Sequence, residues 1–226
     1  MKLTIFNCSP KLGKNNTEVM VNQFATGFQS QAGNQVEVYK LNQMGSVTEA
    51  VEIFAKADNV LVALPLYYFA MPGGVKEFIE GLEPLAGECA GKRVAFLIQY
   101  GFQEAIHARP LEAYFVKLAQ ILNCDYLGTI IKGGCDGLSS GTGFNYKKIL
   151  AGIYRIGETL GKNQKFDQSE LDHFAQPELQ QKKAAFLVKL ILKLINKYYW
   201  GGKMKKNGLS IAESFARPYA PNSECN

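Results

Sequence analysis

Two stretches of the chain carry almost no polar face. Residues 59–64 read NVLVAL and residues 93–100 read RVAFLIQY. Both are strand-sized, and a strand without a polar side needs cover on both faces, which is the environment of a parallel sheet interior. The segments around them fit that frame. Residues 2–7 form a shorter apolar run, 35–41 alternate Val36, Val38 and Leu41 with polar neighbours, and 125–132 form a last strand. Between them lie helical patterns over 17–30, 47–57, 74–80, 104–123 and 145–161; in the first, Val21, Phe24, Ala25 and Phe28 share one face. Five strands alternating with helices predict a parallel sheet with right-handed crossovers and helices on both sides.

The chain then changes character. Residues 161–177 are polar and read as a loop, whereas 180–200 are very apolar, with Lys189, Lys193 and Lys197 making one narrow polar stripe on a helix. A polar tail with Gly and Pro follows over 201–226. The expected organisation is one domain over 1–161 and a C-terminal helical extension over 162–226, in the same domain or at a dimer contact.

Composition narrows the function. A formal charge of +5 on 226 residues is mild, and residues 1–160 show no basic cluster with a groove-reading motif, so nucleic acid is not an expected partner. Cys8, Cys89, Cys124, Cys135 and Cys225 are scattered, without a C-x-x-C pair or a histidine pair at zinc spacing. That usage suggests reduced thiols in a cytoplasmic protein and no metal site. The first apolar run breaks at Asn7 and meets Pro10, too soon for a signal peptide.

In an open parallel sheet, ligands bind beyond the carboxyl ends of the strands. The loop after the first strand, residues 7–17, offers Ser9, Thr17, Asn16, Lys11, Lys14 and Gly13, followed by the free N–H groups of a helix start. Those are the donors a phosphate dianion needs. Neither G-x-x-x-x-G-K-[ST] nor G-x-G-x-x-G is present, so a monophosphate such as that of FMN fits better than a dinucleotide. The plain alternative is a polar loop with an Asn or Thr helix cap. The loop after the third strand packs Pro65, Leu66, Tyr67, Tyr68, Phe69 and Met71 ahead of Pro72 and two glycines. Such a loop is expected to cover something flat and apolar, an isoalloxazine ring or a neighbouring subunit. After the fourth strand, Tyr100, Gly101 and Phe102 combine close backbone approach with stacking faces.

These three segments resemble the NADPH-dependent FMN reductase family. Ser9-Pro10-Lys11 with Asn16-Thr17 is similar to its phosphate loop. Pro65-Leu66-Tyr67 with Met71-Pro72-Gly73 and Lys76 is similar to its second motif, and Tyr100-Gly101-Phe102 to its third flavin loop. The likeness covers about residues 1–135, and the first loop runs about one residue longer than usual, around Lys14 and Asn15. The resemblance implies a flavodoxin-like, doubly wound sheet of strand order 2-1-3-4-5. It implies FMN, with Ser9, Lys11, Asn16 and Thr17 on the phosphate. Pro65, Leu66, Tyr67, Tyr68 and Met71 would lie along ring and ribityl chain, with Tyr100, Gly101 and Phe102 on the far side. It implies hydride transfer from NADPH or NADH to the flavin and on to a small-molecule acceptor, a flavin or quinone.

No acid–base residue is assigned as catalytic, because a flavin carries the reaction itself. His107 is read as a satisfied or solvated helix residue and Cys8 as a buried filler. The glycine-rich loop 133–143 is read as a mobile connection. For the apolar stretch a dimer or lid contact is the preferred reading, hence a homodimer, with peripheral membrane contact through 180–206 as the less favoured one. An electron carrier of the flavodoxin type, or a flavin-binding protein held at a membrane, are the competing functions.

Overall fold

Five strands, all parallel, make one sheet in the order β2-β1-β3-β4-β5. They are β1 (Lys2–Asn7), β2 (Gln35–Lys40), β3 (Asn59–Pro65), β4 (Arg93–Gln99) and β5 (Asp125–Lys132). The helices are α1 (Asn16–Gln29), α2 (Val47–Lys56), α3 (Gly73–Gly81), α4 (Arg109–Leu122), α5 (Tyr146–Asn163) and α6 (Gln168–Ala175). This computed structural model describes residues 1–142, 145–179, 191–210 and 212–216. The sheet, its order and its flanking helices are those expected from the sequence.

The burial pattern explains the strands. All seven residues of β3 are buried. Along it Val60, Val62 and Leu64 face one core with Phe54, Phe78 and Phe115, while Leu61 and Ala63 face the other with Phe24, Phe28 and Ile153. On the first face Phe96 of β4 stacks on Phe115 of α4, ring centroids 3.9 Å apart. Strand β2 is partly exposed, which is why its sequence alternates.

On the second face α1 and α5 approach so closely that only glycine fits. A Cβ on Gly27 would lie 2.0 Å from the Tyr154 carbonyl oxygen, and one on Gly157 would lie 2.2 Å from that of Phe24. Across the sheet, buried Lys92 donates from Nζ to the Phe54, Ala55 and Ala57 carbonyls at the end of α2. The charge thereby meets the negative end of a helix.

Two expectations need correction. The polar stretch 161–177 is not simply a loop, because α6 lies within it. Asp167 caps that helix, accepting from the Ser169 and Glu170 amides. Leu171, Phe174 and Ala175 are buried in the two cores, so residues 162–179 belong with the sheet, and the first compact unit is Met1–Leu179. The polar tail likewise begins with a helix, Gly201–Lys206. In the second unit, Gln180–Asn226, residues 191–195 are helical and a π-helical turn spans Asn196–Trp200. The first part of the helix expected over 180–200, residues 180–190 with Lys189, lies outside the described residues, as do the end of the tail and Cys225.

Gly157→Ala places a methyl against α1 backbone that cannot swing aside. We expect it to destabilise the domain by about 1–3 kcal/mol or more. Urea unfolding checks this as a lower midpoint with an unchanged slope.

Candidate functional site

The loops that follow β1, β3, β4 and β5 lie at one end of the sheet, as parallel pairing requires. The first begins where β1 runs out. The Cys8 amide still pairs with the Ala63 carbonyl at 2.7 Å. Buried Asn7 then takes the Ser9 amide on Oδ1 at 3.1 Å, and the Ser9 hydroxyl accepts from the Lys11 amide at 3.4 Å. Asn15 caps α1: its Oδ1 accepts from the Glu18 amide, and its Nδ2 donates to the Gly13 carbonyl. Lys11, Leu12, Gly13 and Lys14 are exposed. The loop is a folded turn with two cations on its outer rim and the positive end of a 14-residue helix behind it.

Asn16 and Thr17 head α1 in an arrangement no local pattern shows. The Asn16 amide is engaged at both ends, Nδ2 on the Cys135 carbonyl and Oδ1 on the Ser139 amide, each at 2.8 Å. Thr17 is fully buried, and its hydroxyl accepts from Gln99 Nε2 at 3.0 Å. Both side chains face inward, tying the first loop to the loop after β5 and to the end of β4. Their backbone N–H groups remain at the helix start.

After β3, Pro65 is buried in register with Gln99, and the Leu66 amide donates to the Gln99 carbonyl. Tyr67 and Ala70 then exchange two backbone hydrogen bonds around a two-residue turn. Its central residues, Tyr68 and Phe69, have φ of 47° and 63°. Left-handed backbone in bulky residues costs about 1–2 kcal/mol each. Tyr68 is 99% exposed. Met71 packs against the core and Pro72 starts α3. Lys76 pairs with Glu80 on the exposed side of that helix at 2.5 Å.

The loop after β4 is pinned from several sides. Tyr100 is buried, and its hydroxyl donates to the Glu104 carbonyl at 2.9 Å. A Cβ on Gly101 would lie 2.8 Å from the Asp136 carboxylate, and one on Gly133 would lie 2.2 Å from the Phe102 carbonyl oxygen. The loops after β4 and β5 therefore nest backbone to backbone. The chain leaving α6 adds a strap: Ala105 and Ile106 amides donate to the Pro177 and Glu178 carbonyls. Arg109 clamps the Glu178 carboxylate at 2.8 Å, with Glu112 on its other side at 2.7 Å.

Phe69 and Phe102, on different loops, both lie against His107, with ring centroids 5.1 and 5.3 Å away. His107 Nε2 is 3.6 Å from the Glu104 carboxylate. His107 thus sits in a short 3₁₀ turn, Ala105–His107, before α4, where it joins the second and third loops rather than lying along a helix. A cavity of about 350 Å³ adjoins the first loop, lined by Ser9, Pro10, Leu41, Met44 and Pro72 among others. Of the expected site residues, Ser9 alone is on its wall. Sequence reading passed over the segment after β2 that forms the opposite wall, because Leu41, Asn42 and Met44 carry no motif. Asp136 and Gln99 lie in stretches that the sequence marks, by glycine density around 133–137 and by a glutamine ending an apolar strand, but no local pattern shows their contacts.

Residues 1–140 match the model of a family described by its flavodoxin-like fold. No curated protein matches the chain. Among solved structures, it is similar to an NAD(P)H:quinone oxidoreductase from Methanothermobacter marburgensis, at 18% identity and a TM-score of 0.57 over 71% of this chain and 98% of that one. It is similar to the Trp repressor binding protein from Bacillus subtilis, at 18% identity and 0.53 over 69% and 96%. An NADH:FMN oxidoreductase in its apo form gives 15% identity and 0.52 over 80% and 92%. At these identities the likeness is one of fold.

Burial beside the first and fourth loops has a measurable consequence. It pushes the Cys135 thiol from its ordinary 9.0 up to about 12, and raises Cys8 and the Tyr100 phenol as well. A group that keeps its proton in the folded state after the unfolded chain has released it stabilises less as pH rises. Lys132 acts in the opposite sense, since burial lowers its value from 10.5. We therefore expect Cys135→Ala to flatten the loss of stability between pH 9 and pH 12 relative to the parent protein. Urea midpoints across that range check it.

Proposed function

Because the chain belongs to the family with the flavodoxin-like fold, whose model spans residues 1–140, we propose that it is an FMN-dependent NAD(P)H oxidoreductase acting on a small planar acceptor, a flavin or quinone. One observation carries the reading. Three loops at the carboxyl ends of adjacent strands offer, in order, a phosphate-type donor set, an exposed aromatic turn, and an aromatic loop meeting it at His107. That such folds host this chemistry is supported by the structures named NAD(P)H:quinone and NADH:FMN oxidoreductases.

The residues fit the cofactor. The phosphate would be held by the Ser9 hydroxyl, by the exposed ammonium of Lys11, and by the N–H groups that open α1. Asn16 and Thr17 would contribute through those backbone groups, because their side chains are engaged elsewhere. Asn15 fixes the helix start and so aims its donors. The ring would lie among Pro65, Leu66, Tyr67, Tyr68 and Met71 on one side and Tyr100, Gly101 and Phe102 on the other. When bound, FMN supplies hydride acceptance from NADPH or NADH and electron delivery to the acceptor.

The chain's own part is positioning. The strained Tyr68–Phe69 turn is braced by the two hydrogen bonds between Tyr67 and Ala70, so its aromatic rings are presented at low entropic cost. Phe69 and Phe102 pack against His107 from two loops, and their exposed faces would stack on a flat ligand. The Tyr100 phenol is spent on the Glu104 carbonyl, where it holds the third loop in shape.

Anaerobic mixing of the FMN-loaded protein with NADPH, then NADH, should bleach the flavin absorbance within the mixing time of a turnover experiment. A flavin that binds and stays oxidised with both would reject the hydride-accepting role. The phosphate assignment has a separate readout. Lys11→Gln should weaken FMN binding roughly three- to tenfold while leaving riboflavin binding unchanged, measured by flavin fluorescence quenching.

A further inference from the structure

The two units carry opposite formal charge. Residues 1–179 hold sixteen Lys and Arg against eighteen Asp and Glu, whereas residues 180–212 hold eight lysines and no carboxylate. The described part of that basic segment also presents its apolar side chains to water. Ile191, Leu192, Leu194 and Ile195 are 47%, 49%, 50% and 39% exposed, and Trp200 is 45% exposed. On a helix of 3.6 residues per turn these four aliphatic residues span an arc of about 160°, with Lys193 at the opposite pole. At its end an aromatic and cationic cluster is preassembled. Lys203 Nζ lies 4.3 Å from the Tyr199 ring centroid and 5.2 Å from that of Trp200, and donates to the Tyr199 hydroxyl at 2.8 Å. Lys205 and Lys206 follow, both exposed.

We infer that residues 191–210 bind the surface of an anionic lipid bilayer. The chemistry matches layer by layer. Leu and Ile side chains enter the acyl boundary, Trp200 and Tyr199 sit at headgroup depth, and the lysines meet lipid phosphates. A second copy of the segment is a poorer occupant, since it would set five more lysines and no carboxylate against the five already there. The mode is peripheral: among the described residues no helix is long and apolar enough to cross a membrane. Charge favours a lipid contact over the dimer or lid contact that was the first expectation from sequence.

Trp200 is the single tryptophan of the chain, so intrinsic tryptophan emission reports on this segment alone. The full-length protein is titrated with phosphatidylcholine vesicles, and with vesicles in which a third of the lipid is phosphatidylglycerol. Co-sedimentation is measured in parallel. Binding to the anionic vesicles with a blue shift of emission, and release by high salt, is the expected result. A triple variant, Lys193→Gln, Lys205→Gln and Lys206→Gln, leaves Lys203 on its aromatic partners. It should lower the partition coefficient about a hundredfold, because each lysine near such a surface is worth about fivefold. Equal binding to both vesicle types overturns the electrostatic match. Absence of any shift or sedimentation overturns the lipid assignment. A blue shift that instead grows with protein concentration in the absence of vesicles overturns it in favour of a second copy. Each readout is independent of flavin and nicotinamide.

Discussion

Seven successive residues of β3 sit out of water, flanked on one side by β1 and on the other by the equally apolar β4. Backbone pairing within the sheet satisfies their amides and carbonyls, but nothing in the strand itself can satisfy a solvent-facing side. Helices must lie on both faces, and the parallel direction of the strands puts every strand-to-helix loop at the same end. The candidate site follows from that constraint. The polar residues of the first loop and the aromatic residues of the second and third are far apart in sequence. They share one end of the molecule because three buried strands run side by side in the same direction.

Much of this architecture was legible in the chain. Unbroken apolar runs at β3 and β4, alternation at β2 and the helical spacing of α1 each reflect a different degree of burial, and burial is what writes hydrophobic pattern into sequence. Helix α6 was missed for the complementary reason. It is eight residues long with a polar composition, and only Leu171, Phe174 and Ala175 face inward. Its local signal was the capping pair of Asp167 and Glu170, a start signal too short to outweigh the polar average. The helix Gly201–Lys206 opens with two glycines, which lower intrinsic helix propensity and made that stretch read as tail.

The site was legible as a set of loops and less so as a set of contacts. Motif order put Ser9, Tyr67 and Phe102 on three loops that the parallel sheet gathers at one end. Sequence could not show that Asn16 spends both ends of its amide on residues near 135–139, or that Thr17 is buried against Gln99. Those partners lie roughly eighty to one hundred and twenty positions away, and only the sheet brings them near. His107 shows the same limit. Its position suggested an ordinary helical histidine, whereas its neighbours Phe69 and Phe102 come from two other loops. Pairwise tertiary contacts leave no periodic trace.

The strap formed by Pro177 and Glu178 carries a mechanical meaning. The chain passes from Met1–Leu179 into the second unit just beyond the point where it is tied to Ala105, Ile106 and Arg109. Any tension on the chain beyond residue 180 is therefore borne first by the turn that holds His107, and only afterwards by the sheet. Two backbone hydrogen bonds and one ion pair are weaker than a buried strand, so under load the rim of the site would yield before the core.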